Sequence, residues 1–281
     1  RMLDWLLTVY ILVCYFVTVI GGFIPFFIDY LPNKKLAGNI LDICSAAAGG
    51  LFLSGGLIHM LAEGAELIEE SGYTFGGLPI GFFCAGLSFL FIFFFDRIVA
   101  THSEHASFAD HVEKTETQKL CQSEDSVNHQ YYVLDEEAGE MQDNKRGWCS
   151  IITLVFALSM HSFFEGLGLG VSPSPTAVFI AVCGHKWADS GFTVIFLMSK
   201  IRSLPIIGII ILIFSTFTPI GSLCGVLIVE LLGNSAIASL IQGVLICLAG
   251  GTFLYVAIIE IMAEQFESPK YRYIKFTFAE I

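Results

Sequence analysis

"WCSIITLVFALSMHSFFEGLGLG", residues 148–170, decides how the whole chain is read. Up to Met160 it is almost purely apolar. His161 and Glu165 then appear with no turn signal, and the run continues to Gly170. At about 1.5 Å per residue, such a helix crosses a hydrocarbon core roughly 30 Å thick. An imidazole and a carboxylate therefore sit near the middle of a membrane helix, where each costs about 2–3 kcal/mol to insert. Groups held there at such a cost point to function.

The remaining sequence has the same character. Of 281 residues, 55% are hydrophobic and 14% charged, and the mean hydropathy is +0.73. This excludes an ordinary soluble domain. Apolar runs near 5–29, 40–62, 77–97, 148–171, 176–199, 204–230 and 235–262 predict an all-α integral membrane protein with seven transmembrane helices. The first run is too long, and wrongly flanked, for a cleavable signal peptide. At 271–281, "YRYIKFTFAEI" turns apolar again, so an eighth helix is expected to begin there. The expected organisation is helices 1–3 in residues 1–98, a hydrophilic loop at 99–147, and the remaining helices in 148–281.

Charge sets the topology. All but Arg1 and Lys186 of the 14 Lys and Arg fall in every second loop or at its helix ends. The alternate loops, near 63–76, 172–175 and 231–235, hold none. The positive-inside rule places the basic loops in the cytosol and the N-terminus outside or in a lumen. The net charge of −12 argues against a nucleic-acid partner and leaves the lipid bilayer as the surrounding partner. Most of the eight cysteines (Cys14, Cys44, Cys84, Cys183, Cys224 and Cys247, with Cys149 at an edge) lie in apolar spans, and none makes a CxxC. They read as small packed thiols.

The 99–147 segment carries His102, His105, His111 and His129 among many carboxylates and few apolar residues. It is expected to be disordered, able to hold transition metals only loosely. Glycines at helix-facing spacings should bring backbones close. Pro219 should bend the sixth span and free a carbonyl.

The fourth and fifth spans are joined by the short "SPSP" at 172–175 and so form a hairpin. His161 and Glu165 are four apart and share a helical face; His185 and Asp189, in "HKWADS", repeat the spacing. Counted from the turn, Glu165 and His185 lie at one depth and His161 and Asp189 at another, two levels about 6 Å apart. Two imidazoles and two carboxylates suit a borderline divalent cation, Zn²⁺ first, with Fe²⁺, Mn²⁺ or Co²⁺ also compatible. Lys186 is the single Lys or Arg inside a span. It reads either as a structural partner of Glu165 or Asp189, or as a fixed charge opposing a second metal.

"HSFFEGLGLG" and "HKWADS", with "GGLFLSGGLIHMLAEG" at 49–64 and "GTFLYVAIIEIMAEQF" at 251–266, resemble the ZIP family of zinc/iron-regulated metal transporters. The resemblance covers the chain outside the third loop. It implies an eight-span bundle with both termini outside. By position it implies His161, Glu165, His185 and Asp189 as transport-site ligands. Ser162 and Lys186 match positions that help hold a second metal in some members, and lysine there departs from that role. His59 and Glu63 would stand at the entrance, Glu260 and Glu264 at the exit.

The expected function is divalent metal transport into the cytosol, with metal as substrate and no catalytic cofactor. A homodimer is compatible with the sequence, and plasma and vesicle membranes both remain open. The alternative from another class is a seven-span intramembrane zinc hydrolase, since two His and a carboxylate are a catalytic ligand set. Against it stand the lack of a third histidine in the middle of the bundle and of an evident separate base. A metal-sensing receptor using the third loop as output is a further alternative. Flux across a sealed bilayer separates the three.

Overall fold

The computed structural model describes residues 5–29, 31–74, 76–98, 151–201, 203–232 and 235–263; among them every regular element is helical. With no water to satisfy backbone groups in lipid, helices are the form such apolar runs must take. In chain order these are α1 (Trp5–Asp29), α2 (Lys34–Ser54), α3 (Leu61–Glu70), α4 (Ile80–Ile98), α5 (Ile151–Val171), α6 (Pro175–Lys200), α7 (Leu204–Ser215), α8 (Phe217–Leu232) and α9 (Ser235–Tyr255). A π-helical segment, Gly55–Met60, joins α2 to α3, and another, Val256–Met262, continues α9.

Among the described residues, six stretches are long and apolar enough to cross a membrane. The remaining predicted span, the fifth, is α6, with 26 residues, whose embedded "HKWADS" lowers its hydropathy without shortening it. The eighth span and the 99–147 loop lie outside the described residues.

One expectation needs correction. The second span extends well past 40–62: α2, the π segment and α3 form one helical rod from Lys34 to Glu70. "AEGAELIEE" is rich in Ala, Leu and Glu, all strong helix formers, so the rod continues through what reads as a loop. The polypeptide turns only after Glu70, where Gly72, Gly76 and Gly77 adopt φ values of 76°, 62° and 81° that side-chain-bearing residues rarely reach. The sixth span is two helices, interrupted at Thr216 between α7 and α8. Pro219 has no N–H to offer Ser215, which accounts for the break.

The chain divides into two compact units, residues 1–92 with 154–281 and residues 93–153. In the second unit, Thr153 Oγ1 donates to Asp96 Oδ1 at 3.1 Å, and the Arg97 guanidinium lies over Phe93 at 5.0 Å. The first unit is the helical bundle.

Within the bundle, α1 and α6 run parallel and meet along their length. Tyr10 stacks on Phe179 at 4.1 Å and its hydroxyl meets Thr176 Oγ1 at 3.0 Å. One turn on, Cys14 faces Cys183 with sulfurs 3.8 Å apart. The rod of α2 and α3 runs antiparallel to α9, with Phe52 on Phe253 at one end and Gly64 against Cys247 at the other. α4 joins α9 through Ser88, whose hydroxyl donates to Leu248 O at 2.8 Å.

A close helix crossing lies beside the polar residues. A Cβ added at Gly166 of α5 would overlap the Thr218 carbonyl of α8, and one at Gly221 would overlap the Phe163 carbonyl. These atoms are backbone and cannot swing aside. Small residues allow such contact where lipid offers no hydrophobic drive between helices. Gly166→Ala or Gly221→Ala should therefore destabilise the bundle by about 1–3 kcal/mol, the usual cost of overpacking. A lowered thermal midpoint of detergent-solubilised protein reads this out. An unchanged midpoint would show that the crossing is looser than described.

Candidate metal centre

The hairpin of α5 and α6 positions the four side chains that their spacing pairs. The Ser172–Ser174 turn is short, and Ser172 Oγ accepts from the Ser174 N–H at 3.0 Å. Each helix then presents a His and an acid one turn apart on its inner face.

The structure brings all four together. His185 Nε2 and Glu165 Oε1 are hydrogen-bonded at 2.5 Å. His161 Nε2 lies 3.3 Å from the same Glu165 oxygen and 3.8 Å from Asp189 Oδ2, which is 3.9 Å from His185 Nε2. All four donor atoms fall within 4.8 Å of one another. Expected on two levels about 6 Å apart and surrounding one point, the four groups lie around one point. The levels describe the backbone, and the side chains close the distance by leaning toward each other.

The polar satisfaction of this cluster is uneven. Neither carboxylate oxygen of Asp189 has a hydrogen-bond partner, and neither does His161 Nε2, although both residues are fully buried. His161 Nδ1 pairs with Ala249 O at 3.2 Å. A carbonyl only accepts, so Nδ1 carries a proton, and the ring is turned so that Nε2 faces the two acids. Buried polar atoms left without a hydrogen-bond partner cost stability, and a cation placed among them would offset that cost. A tetrahedral ion with bonds of about 2.0–2.1 Å separates its donors by roughly 3.3 Å. Three of the observed separations are at or slightly beyond that edge. The fourth is the His185–Glu165 hydrogen bond, which an arriving ion would replace.

Lys186 is completely buried and has two partners. Its Nζ donates to Ser162 Oγ at 2.9 Å and to Glu165 Oε2 at 2.7 Å. Glu165 therefore divides its oxygens, Oε1 to the imidazoles and Oε2 to the ammonium. Both sequence readings of Lys186 meet here, since it pairs with Glu165 and also puts a positive charge on the far side of that carboxylate.

The other candidates stand apart from the cluster. His59, on the first π segment, and Glu63, on α3, pair with each other at 3.5 Å, their side chains 45% and 36% exposed. Glu260, on the second π segment, is buried and accepts from the Tyr255 hydroxyl at 3.3 Å. Glu264 lies outside the described residues. Extra-turn π segments recur at functional positions, and here they carry His59 and Glu260.

Several contributors escape a sequence reading. Phe253 of α9 stacks on the His161 ring with centroids 3.5 Å apart and stands edge-on to His185 at 5.8 Å. Ala249 contributes only a carbonyl, which any residue has. A cavity of about 330 Å³ follows the turns of α6 beyond Asp189, lined by Asp42, Ser45, Phe192, Phe196, Ser199 and Glu260. Asp42 carries no motif signal.

Comparison with known proteins identifies the family. The family model described as ZIP zinc transporter matches residues 5–280. Zinc transporter ZIP2 of Mus musculus is 25% identical over 89% of this chain and 85% of its own length. Zinc transporter ZIP1 of Takifugu rubripes is 27% identical over 94% and 90%. Protein zntD of Dictyostelium discoideum is 35% identical over 49% of this chain but only 20% of its own length. No solved structure matches. A model match across nearly the whole sequence, on a membrane bundle with His and carboxylate donors gathered between two helices, decides the family: the chain belongs to the ZIP zinc transporters, which are transporters and not enzymes.

Proposed function

We propose that this protein moves Zn²⁺ into the cytosol, from outside the cell or from a vesicle lumen, through a centre formed by His161, Glu165, His185 and Asp189. The observation that supports it most is the set of buried polar atoms without a hydrogen-bond partner, Asp189 Oδ1 and Oδ2 with His161 Nε2. Imidazole with carboxylate oxygen is a zinc donor set, and Fe²⁺ or Mn²⁺ would bind the same groups less tightly. The related proteins named as zinc transporters point the same way.

In this reading an ion passes His59 and Glu63, replaces the His185–Glu165 hydrogen bond, and takes the four donors. It leaves past Glu260 along the cavity lined by Asp42 and Ser199. Residues 1–98 and 148–281 supply the bundle, with the N-terminus outside or in the lumen, as the basic loops require. Lys186 holds the outer oxygen of Glu165 and keeps the centre mononuclear. A transporter site needs access from both sides in turn, and a midplane position provides it.

Uptake into proteoliposomes across a series of divalent metals tests the proposal. Saturable zinc flux, exceeding that of Fe²⁺ and Mn²⁺, is expected; absence of flux in correctly inserted protein would refute it. The 99–147 segment is proposed to act in regulation. Deleting most of 102–143 should leave zinc flux near normal while altering turnover or response to metal. Loss of flux in correctly localised protein would place that segment in the pathway.

A further inference from the structure

The His161 ring is gripped twice, and both grips come from α9 rather than from the helices that carry the proposed ligands. Its Nδ1–H is held by Ala249 O at 3.2 Å. Its face lies on Phe253 at 3.5 Å with planes 19° apart. Ala249 and Phe253 are one turn apart on one face of α9. The hydrogen bond sets the spin of the ring in its plane, and the stack sets its tilt, so no soft rotation remains. The Phe253 ring also stands 77° to His185 at 5.8 Å, touching both imidazoles of the centre. Phe253 also has Phe52 as an aromatic neighbour, stacked at 4.7 Å, and Phe52 meets Phe192 edge-on at 5.5 Å without reaching either imidazole.

We infer that Phe253 is a positioning residue for the ion, holding the imidazole of His161 so that Nε2 points at Glu165 and Asp189 before any metal arrives. This rests on the proposed ligand set. The physical need is clear. A histidine attached to α5 by two rotatable bonds loses affinity for every orientation in which Nε2 faces away. Outer partners that fix ligating imidazoles are worth about 10–100-fold in metal affinity. Here a flat aromatic face takes that role alongside the usual carbonyl. Because Phe253 belongs to α9, it also makes the centre depend on a helix that supplies no ligand.

The test uses the full chain in proteoliposomes and the same protein loaded with Co²⁺, whose visible spectrum reports ligand geometry. Phe253→Leu keeps an apolar side chain of considerable bulk and removes the flat face. It should raise KM for zinc about tenfold or more with maximal rate little changed, and should alter the Co²⁺ spectrum. Phe253→Tyr keeps the face and should restore both. Phe52→Leu loosens the same aromatic stack without touching an imidazole and should leave both near normal. If the leucine variant does not assemble, Phe253→Met asks the same question.

Unchanged KM and spectrum in Phe253→Leu would overturn the inference. So would a Phe52→Leu variant that matches it in both, since packing alone would then suffice. Glu165→Ala separates this from failure of the ligand assignment: if that variant keeps the native Co²⁺ spectrum, the proposed centre itself is wrong.

Discussion

Replacing Glu165 by alanine reduces zinc uptake to the level of protein-free vesicles while the protein still reaches its membrane; this is the largest single effect expected. Glu165 is the residue on which the cluster converges. One oxygen faces His185 at 2.5 Å and His161 at 3.3 Å, and the other accepts from Lys186 at 2.7 Å. Its removal takes a ligand from the ion and leaves Lys186 buried with only Ser162 as partner. Breaking a buried pair from one side costs about 3–5 kcal/mol, so a thermal midpoint must accompany the flux measurement. Glutamine separates the two effects, because it keeps the volume and one oxygen while losing the charge. Asp189→Ala should also abolish flux, yet with a gain or little change in stability, since its carboxylate is buried without a donor. His161→Ala and His185→Ala should likewise lose nearly all uptake. Near-normal flux in Glu165→Ala would remove the centre from the pathway.

Lys186→Asp should change the number of ions held. In the unmodified chain the ammonium occupies the side of Glu165 away from the imidazoles, with Ser162 completing its contacts. At about 4 Å, two like charges repel by roughly 4 kcal/mol even with an effective dielectric constant of 20, and a dication doubles that. A second metal is opposed before it finds ligands. Aspartate at 186 replaces the opposing cation by a ligand, beside Glu165 and Asp189. Elemental analysis of purified protein should rise from one metal per protomer toward two, and zinc release should slow because the ions are held more tightly. Two well-occupied metals in the unmodified chain would contradict the role of Lys186. An aspartate variant with unchanged occupancy and rate would do so as well.

The four-residue cluster was legible because helical periodicity brings residues four apart onto one face, and a short turn then fixes how two such faces meet. His161 with Glu165 and His185 with Asp189 need only these local rules. The grip on His161 is different in kind. Ala249 acts through its backbone, 88 residues away in sequence, and Phe253 is one of 26 phenylalanines in a chain where most serve packing or face lipid. The seven spans followed from hydropathy, yet their ends did not always. "AEGAELIEE" is polar enough to read as a loop and helical enough to extend the rod to Glu70. The π segments carry no composition signal, since an extra residue per turn is set by what packs alongside. Asp42 likewise gains meaning only from the cavity that joins it to Ser199 and Glu260.

Zinc K-edge absorption on protein loaded with one equivalent of zinc examines the centre most directly. The account predicts one zinc per protomer, bound by two imidazole nitrogens and carboxylate oxygens at about 2.0–2.1 Å. It also predicts that the imidazole scattering disappears in a His161→Ala, His185→Ala double variant. A first shell containing sulfur at about 2.3 Å, or an unchanged spectrum in that double variant, would contradict it.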